Sequence, residues 1–321
     1  MSSEKSRWLG KRRIGGSDAP IIVDWKAPGA IPEGERPYKS IVELWGEKTG
    51  AVVPDDLKGN EAVEWGHLLE PAIRKKCKFE FGQPIVNPGR YAVQVHKDHD
   101  YMTCTLDGLI ESANSDINSL FDAHLGKTSL SGPGIVQIKT AGFYMRDKWE
   151  GSPPLIYQAQ VQHEMEVFGA DWSILAALVA GNRFFAYPVL RDVAFCDALC
   201  RIEGEFWDLV TRNVQPEIDD SAATAKALAK MYDSPTDSSV ELGDEAVILD
   251  ARRLEAMRIR KSIDKTISLI DNKIKNEIGN NTVGTLPSGV EYSWQEQARA
   301  AYEVPAKTFR VLRRKTKAKR N

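Results

Sequence analysis

Six residues constrain this chain more than any others. Ile135–Thr140 reads IVQIKT, a short apolar strand in which Gln137 and Lys139 stand two apart. Side chains alternate across a strand, so both point to the same side of whatever sheet contains it. A buried strand does not ordinarily set a lysine beside a carboxamide. The pair therefore reads as the edge of a polar site built into a sheet.

The surrounding sequence supplies that sheet. Amphipathic helical periodicity appears at about 38–49, closed by Gly50, and at about 60–81, closed by Gly82. Two β-rich segments follow, PIVNPGRYAVQV (84–95) and YMTCTLDGLIE (101–111), the second ending in an Asp107-Gly108 turn signal. Residues 112–134 turn polar and read as a loop insertion before the sheet resumes at Gly134. Beyond it come a helix at about 153–169, two apolar segments (172–181 and 183–190) paired as a hairpin across Gly181-Asn182, and a helix at 192–213. The order α-α-β-β-β-α-β-β-α predicts an α/β core with a mixed central sheet flanked by helices.

That core spans residues 1–218. Residues 219–246 are small and polar and read as a linker, although part of the segment has helical character. Residues 247–321 read as an appendage: a long helix striped by Ile263, Ile267, Ile270, Ile274 and Ile278, then a small β-hairpin and a basic tail. The isoleucine stripe fits another helix, the core or another subunit equally well.

Composition removes several classes. At 321 residues, 42% hydrophobic and 27% charged, the chain has the make-up of a soluble enzyme. No apolar run approaches a membrane span, and the basic N-terminus lacks the apolar core of a signal peptide, so a cytoplasmic location is expected. Cys77, Cys104, Cys196 and Cys200 form no CxxC pair, which supports neither a zinc site nor a disulfide framework. Net charge is only −2, but the last fifteen residues hold eight Lys/Arg and no acid, and Arg7, Lys11, Arg12 and Arg13 cluster at the other end. Such clusters suit phosphate backbones.

Asp107 lies at a strand end, Gln137 and Lys139 on the next strand, and Glu70 on a preceding helix. Oxygen donors in that arrangement suit Mg²⁺, while the lysine stabilises developing negative charge or orients a water. Phosphodiester hydrolysis requires that combination. His67 and His163 read as scaffold residues, and Trp25, Trp45, Trp65 and Trp149 as core packing.

Five segments then resemble one family in both content and order: WLGKRRIGGSDA (8–19), EWGHLLEPAIRKK (64–76), TLDGLI (105–110), IVQIKT (135–140) and YQAQVQHEMEVFGA (157–170). The pattern is similar to the YqaJ-type viral recombinases, the lambda-exonuclease branch of the PD-(D/E)XK nucleases. The resemblance covers about residues 8–215 and implies a restriction-endonuclease-like core. It further implies Mg²⁺-dependent 5′→3′ digestion of double-stranded DNA ends, of the alkaline-exonuclease type and with Mn²⁺ as a substitute ion. A 3′ single strand would be left for a phage single-strand annealing protein, by a ring-shaped homo-oligomer in a bacterial host.

Carried over by motif, Asp107 is the metal-binding aspartate, Lys139 the catalytic lysine and Glu70 the helix-borne glutamate. Residue 137 and the carbonyl of Ile138 complete the metal site. Arg12 and Ser17 match a pocket for the 5′-terminal phosphate, and Tyr157 and Gln160 a helix facing the site, where they contact DNA or brace the lysine. The chain departs from the pattern at Gln137, where the family carries a carboxylate. Gln removes one negative charge and cannot accept a proton. Three explanations fit: an inactivated variant, an active chain in which another acid compensates, or a silent DNA-binding relative. A structure-selective endonuclease and a non-catalytic DNA-end-binding or annealing-protein-docking scaffold are the rival readings.

Overall fold

The computed structural model describes residues 13–89, 91–301, 303, 306 and 310–314. It divides into two compact units, Met1–Asp233 and Ser234–Asn321.

In the first unit, helices α1 (Ala19–Lys26), α2 (Ile41–Thr49) and α3 (Glu61–Glu80) precede the strands. Short strands β1 (Gln94–Val95) and β2 (Thr103–Cys104) pair with each other. Then follow β3 (Gly108–Ile110), α4 (Ser115–Leu125), β4 (Gly134–Ala141), α5 (Leu155–Phe168), β5 (Trp172–Val179), β6 (Arg183–Leu190), α6 (Val193–Thr211) and α7 (Ala222–Met231). The helix ends carry their caps. Ser40 accepts from Glu43 N–H, Asn60 from Ala62 and Val63, and Gly50 closes α2 at φ 81°.

The main sheet has the order β3-β4-β5-β6, antiparallel, parallel and antiparallel in turn, so it is mixed as expected. Its strands are apolar on both sides because helices cover both faces. Ile135, Leu175, Ala177 and Val179 join a cluster with Val161 and Met165 of α5. Val136, Ile138, Ile174 and Ala176 pack instead with Ile73 of α3 and Ile117 and Phe121 of α4. Gln137 and Lys139 share the parity of Ile135, so β4 turns both toward α5.

Several sequence expectations change in detail. Helix α1 was not anticipated, because Ala19–Val23 are all buried and leave no polar face to mark a helical period. Residues 112–134 contain α4, anchored by the fully buried Ile117 and Phe121 at one-turn spacing. Asp107-Gly108 is no turn: Gly108 opens β3, and a Cβ there would lie 2.6 Å from Ile85 and 3.2 Å from Val136. The hairpin turn is centred on Ala180 (φ 53°) and Gly181 (φ 77°), both left-handed. The expected linker 219–246 begins with α7, whose small Thr224 and Ala227 are buried and whose Lys230 binds Glu43 and Asp55 at 3.0 Å. The first unit accordingly continues to Asp233 rather than ending at 218. Trp45 and Trp149 are buried as expected, whereas Trp65 is 55% exposed.

The second unit contains α8 (Asp244–Ile278) and the hairpin β7 (Val283–Thr285) and β8 (Glu291–Ser293). Ile278 is buried against Gly284, while Ile263, Ile267 and Ile270 remain about half exposed. Most of the basic tail lies outside the described residues; Arg314 pairs with Asp250 of α8. Among the described residues no helix is long and apolar enough to cross a membrane.

Candidate active site

A cavity of about 350 Å³ opens between the 15–17 loop, α3, the β2–β3 segment, β4 and α5. Its lining includes Ser17, His67, Asp107, Gln137, Lys139 and Gln160, together with Glu164, to which the sequence pattern assigns no role.

Asp107 sits at the start of β3, where the antiparallel register sets Gly108 opposite Val136. One carboxylate oxygen, Oδ2, accepts from the Ile138 backbone N–H at 2.8 Å and from the Gln137 amide. The same Gln137 amide nitrogen donates to the Ile138 carbonyl oxygen at 3.4 Å. Asp107 Oδ2 and the Ile138 carbonyl oxygen thus both accept from Gln137 Nε2, while Gln137 Oε1 is buried without a partner. Burial pushes the Asp107 carboxyl up to about 6; the Lys139 cation and the Ile138 N–H counter that rise, and nearby Glu70 adds repulsion.

Lys139 emerges one turn of the pleat beyond Gln137. Its ammonium donates to Gln160 Oε1 at 2.8 Å and lies 5.0 Å from the centre of the Tyr157 ring, which stacks in turn on buried Trp149. Burial lowers the Lys139 pKa, an effect opposed by the negative charges of Glu164 and Asp107. Tyr157 and Gln160 thus brace the lysine from α5. Gln160 Nε2 continues the chain to Glu164 Oε1 at 2.7 Å. Glu164 Oε2 is buried with no partner, and burial together with the charge of Asp107 pushes its carboxyl up to about 7.

Glu70 stands apart from the cavity lining. It is half-buried on α3 and pairs with Arg74, whose Nε donates to the Asp107 backbone carbonyl at 2.7 Å. Through Arg74 the helix fixes the backbone of Asp107. Ser17 is exposed at the cavity mouth on the Gly15-Gly16 loop. That loop is held by Asp18, which accepts from Gly15 N–H at 2.9 Å and from Lys48 at 2.7 Å. Gly16 is required by the close approach: a Cβ there would lie 2.6 Å from Glu164 Oε1 and 3.1 Å from Gln160 Cγ. Arg12 lies outside the described residues.

His163 belongs to the scaffold, as read from the sequence. It is fully buried, with Nδ1 2.9 Å from Glu203 and Nε2 3.0 Å from the Thr103 carbonyl. Both neighbours are acceptors, so both ring nitrogens carry protons. Gln162 likewise ties α5 to the β6–α6 connection through Leu190 O and Asp192 N–H.

Among the described residues, one His/Cys/acid group, His96, Glu166 and Cys200, brings its ligand atoms within 4.8 Å of one another. His96 Nδ1 accepts from the Asp98 and His99 N–H groups, which puts the ring proton on Nε2, facing Glu166. Glu166 is further engaged by the Arg191 guanidinium. The group is a hydrogen-bonded cluster with a resident cation, not an open lone-pair cage. The residues around Asp107 fit a divalent ion better. They offer two oxygens, Asp107 Oδ2 and the Ile138 carbonyl, around a position now filled by the Gln137 amide nitrogen, plus two buried oxygens without partners, Gln137 Oε1 and Glu164 Oε2.

Comparisons with known proteins agree with the sequence pattern. A protein of Bacillus subtilis (strain 168) described as uncharacterized protein YqaJ is 29% identical over 292 residues, 86% of this chain and 80% of that one. Solved structures with a similar outline include an alkaline exonuclease from Laribacter hongkongensis (16% identity, TM-score 0.47, 65% of this chain and 94% of that one). A phage-related exonuclease from Haemophilus somnus 129PT aligns with TM-score 0.42 and 12% identity, over 64% of this chain and 97% of that one. The model of the YqaJ-like viral recombinase domain matches residues 8–171, from the N-terminal basic segment to the end of α5. By this match over half its length, the chain belongs to the YqaJ-like viral recombinase domain family.

Proposed function

We propose that the chain is a divalent-metal-dependent deoxyribonuclease that digests double-stranded DNA from its ends. One observation carries this reading: a buried carboxylate, Asp107, and a buried lysine, Lys139, share one small cavity at the junction of β3 and β4.

Asp107, the Ile138 carbonyl and, with its amide turned over so that Oε1 takes the place of Nε2, the side-chain oxygen of Gln137 would hold the ion, with Glu70 acting from α3 on its surroundings. When bound, Mg²⁺, or Mn²⁺ in its place, supplies Lewis-acid polarisation of the phosphoryl oxygen and a more acidic water. Lys139 stabilises the negative charge that develops on the phosphate as water attacks in line. Gln160 and Tyr157 hold the ammonium in place. The Gly16 and Ser17 backbone N–H groups and the Ser17 hydroxyl would receive a terminal 5′-phosphate, with Arg12 as its cationic partner.

The finer reading has 5′→3′ polarity, a 3′ single strand passed to an annealing protein, and a ring of identical subunits. The experiment compares linear duplexes bearing 5′-phosphate or 5′-hydroxyl ends with closed circular duplex, in Mg²⁺. Digestion of linear DNA, faster with a 5′-phosphate, supports the reading. Cutting of the circle favours the structure-selective endonuclease, and binding of ends without cutting favours the scaffold.

A further inference from the structure

The nuclease reading leaves Gln137 unexplained, because a site for a divalent ion retains only Asp107 as a formal negative charge on the strands. Glu164 answers the deficit from another element. It projects from α5 into the same cavity, with its side chain almost wholly buried at 3% exposure. Only one of its oxygens is satisfied, by Gln160 at 2.7 Å; Oε2 has no partner. A buried carboxylate oxygen without a partner is costly, and a bound cation would offset that cost.

The packing also distinguishes the two oxygens. Oε1 is the oxygen held by Gln160 on the side of Gly16, where a Cβ would lie 2.6 Å away, and Oε2 is the oxygen left without a partner. Gln137 Oε1 is a second buried oxygen there without a partner.

We propose that Glu164 supplies the carboxylate that position 137 lacks, forming with Asp107 the anionic half of the divalent-cation site. Resting on the nuclease reading, this assigns Gln137 as a native neutral ligand in an active site whose second acid has moved from β4 to α5. The two acids then balance the ion's charge, and the Lys139–Gln160–Glu164 chain couples the lysine's position to that of the ligand.

The test is Mn²⁺ binding to the full chain without DNA, followed by the free-ion electron paramagnetic resonance signal. Glu164→Gln keeps shape and the Gln160 bond, and should weaken Mn²⁺ binding roughly 10- to 100-fold. Adding Gln137→Glu to that variant should bring affinity back to within about threefold of the original, because the lost carboxylate returns on the neighbouring strand. Equal Mn²⁺ affinity in the original chain and Glu164→Gln would overturn the role of Glu164 while leaving the nuclease reading in place. A chain that binds no Mn²⁺ and degrades no linear duplex would sink both.

Discussion

Replacing His163 by leucine tests how α5 is held over the sheet. The imidazole is fully buried between Glu203 of α6 and the Thr103 carbonyl of β2, so its removal strands Glu203 in the core. Burial alone would lower the His163 pKa, but Glu203 and the Thr103 carbonyl outweigh it and push the imidazolium up to about 9. Relative to the unfolded value near 6.5, that is worth about 3 kcal/mol. Since the folded pKa is the raised one, this stability is complete below pH ~6.5 and is lost as pH climbs through ~9. Breaking a buried pair by removing one partner costs about 3–5 kcal/mol, of similar size. Urea denaturation at pH 6.5 should therefore show His163→Leu less stable by about 3–5 kcal/mol. The decline of the parent between pH 8 and 9.5 should flatten in the variant. His163→Leu/Glu203→Leu should recover part of the loss, since an apolar pair replaces the ions. A single-variant loss below about 1 kcal/mol, or an unchanged slope above pH 8, would refute the charged-pair argument.

Two further perturbations bear on the site itself. Asp107 is held with a raised pKa of about 6, so ionising it weakens the fold as pH rises from ~4 through ~6. Asp107→Asn should consequently stabilise the metal-free chain at pH 8 by about 1–2 kcal/mol in urea denaturation while abolishing the gain in Tm that the nuclease reading expects from Mg²⁺. Gly16→Ala places a methyl 2.6 Å from Glu164 Oε1 and should cost about 1–3 kcal/mol of stability and disturb the lysine brace. A Gly16→Ala chain with parental Tm and parental rates would contradict the close approach of the loop to α5.

Much of the site was legible because its members lie on strands or next to them. The two-residue spacing of Gln137 and Lys139 guarantees a common face in any sheet, and β4 places both in the cavity. Asp107 could be recognised, but its backbone could not: Asp-Gly ordinarily signals a turn, whereas here the absent Cβ of Gly108 admits Ile85 and Val136 and the chain continues as β3. Glu164 was hidden for another reason. Helix α5 is buried from Ala159 to Met165 without interruption, so no polar stripe distinguishes the residue facing the cavity from those facing the core. The only available signal was its spacing of four from Gln160, which puts both on one face. Small-residue segments misled similarly. The alanines in the first part of the 219–246 segment, which reads as linker, are what lets α7 approach α2 closely, with Ala227 fully buried.

Under the proposed nuclease function, Lys139 works beside a metal-holding Asp107 to hydrolyse DNA from its ends. The most direct test of this is the rate of mononucleotide release from end-labelled linear duplex in Mg²⁺ by the parent chain and Lys139→Ala, with DNA binding measured in parallel. The parent should digest the duplex, and the variant should bind it comparably but digest it roughly 10²- to 10³-fold more slowly. Equal rates in the two chains, or no release by the parent under any divalent ion, would contradict the account.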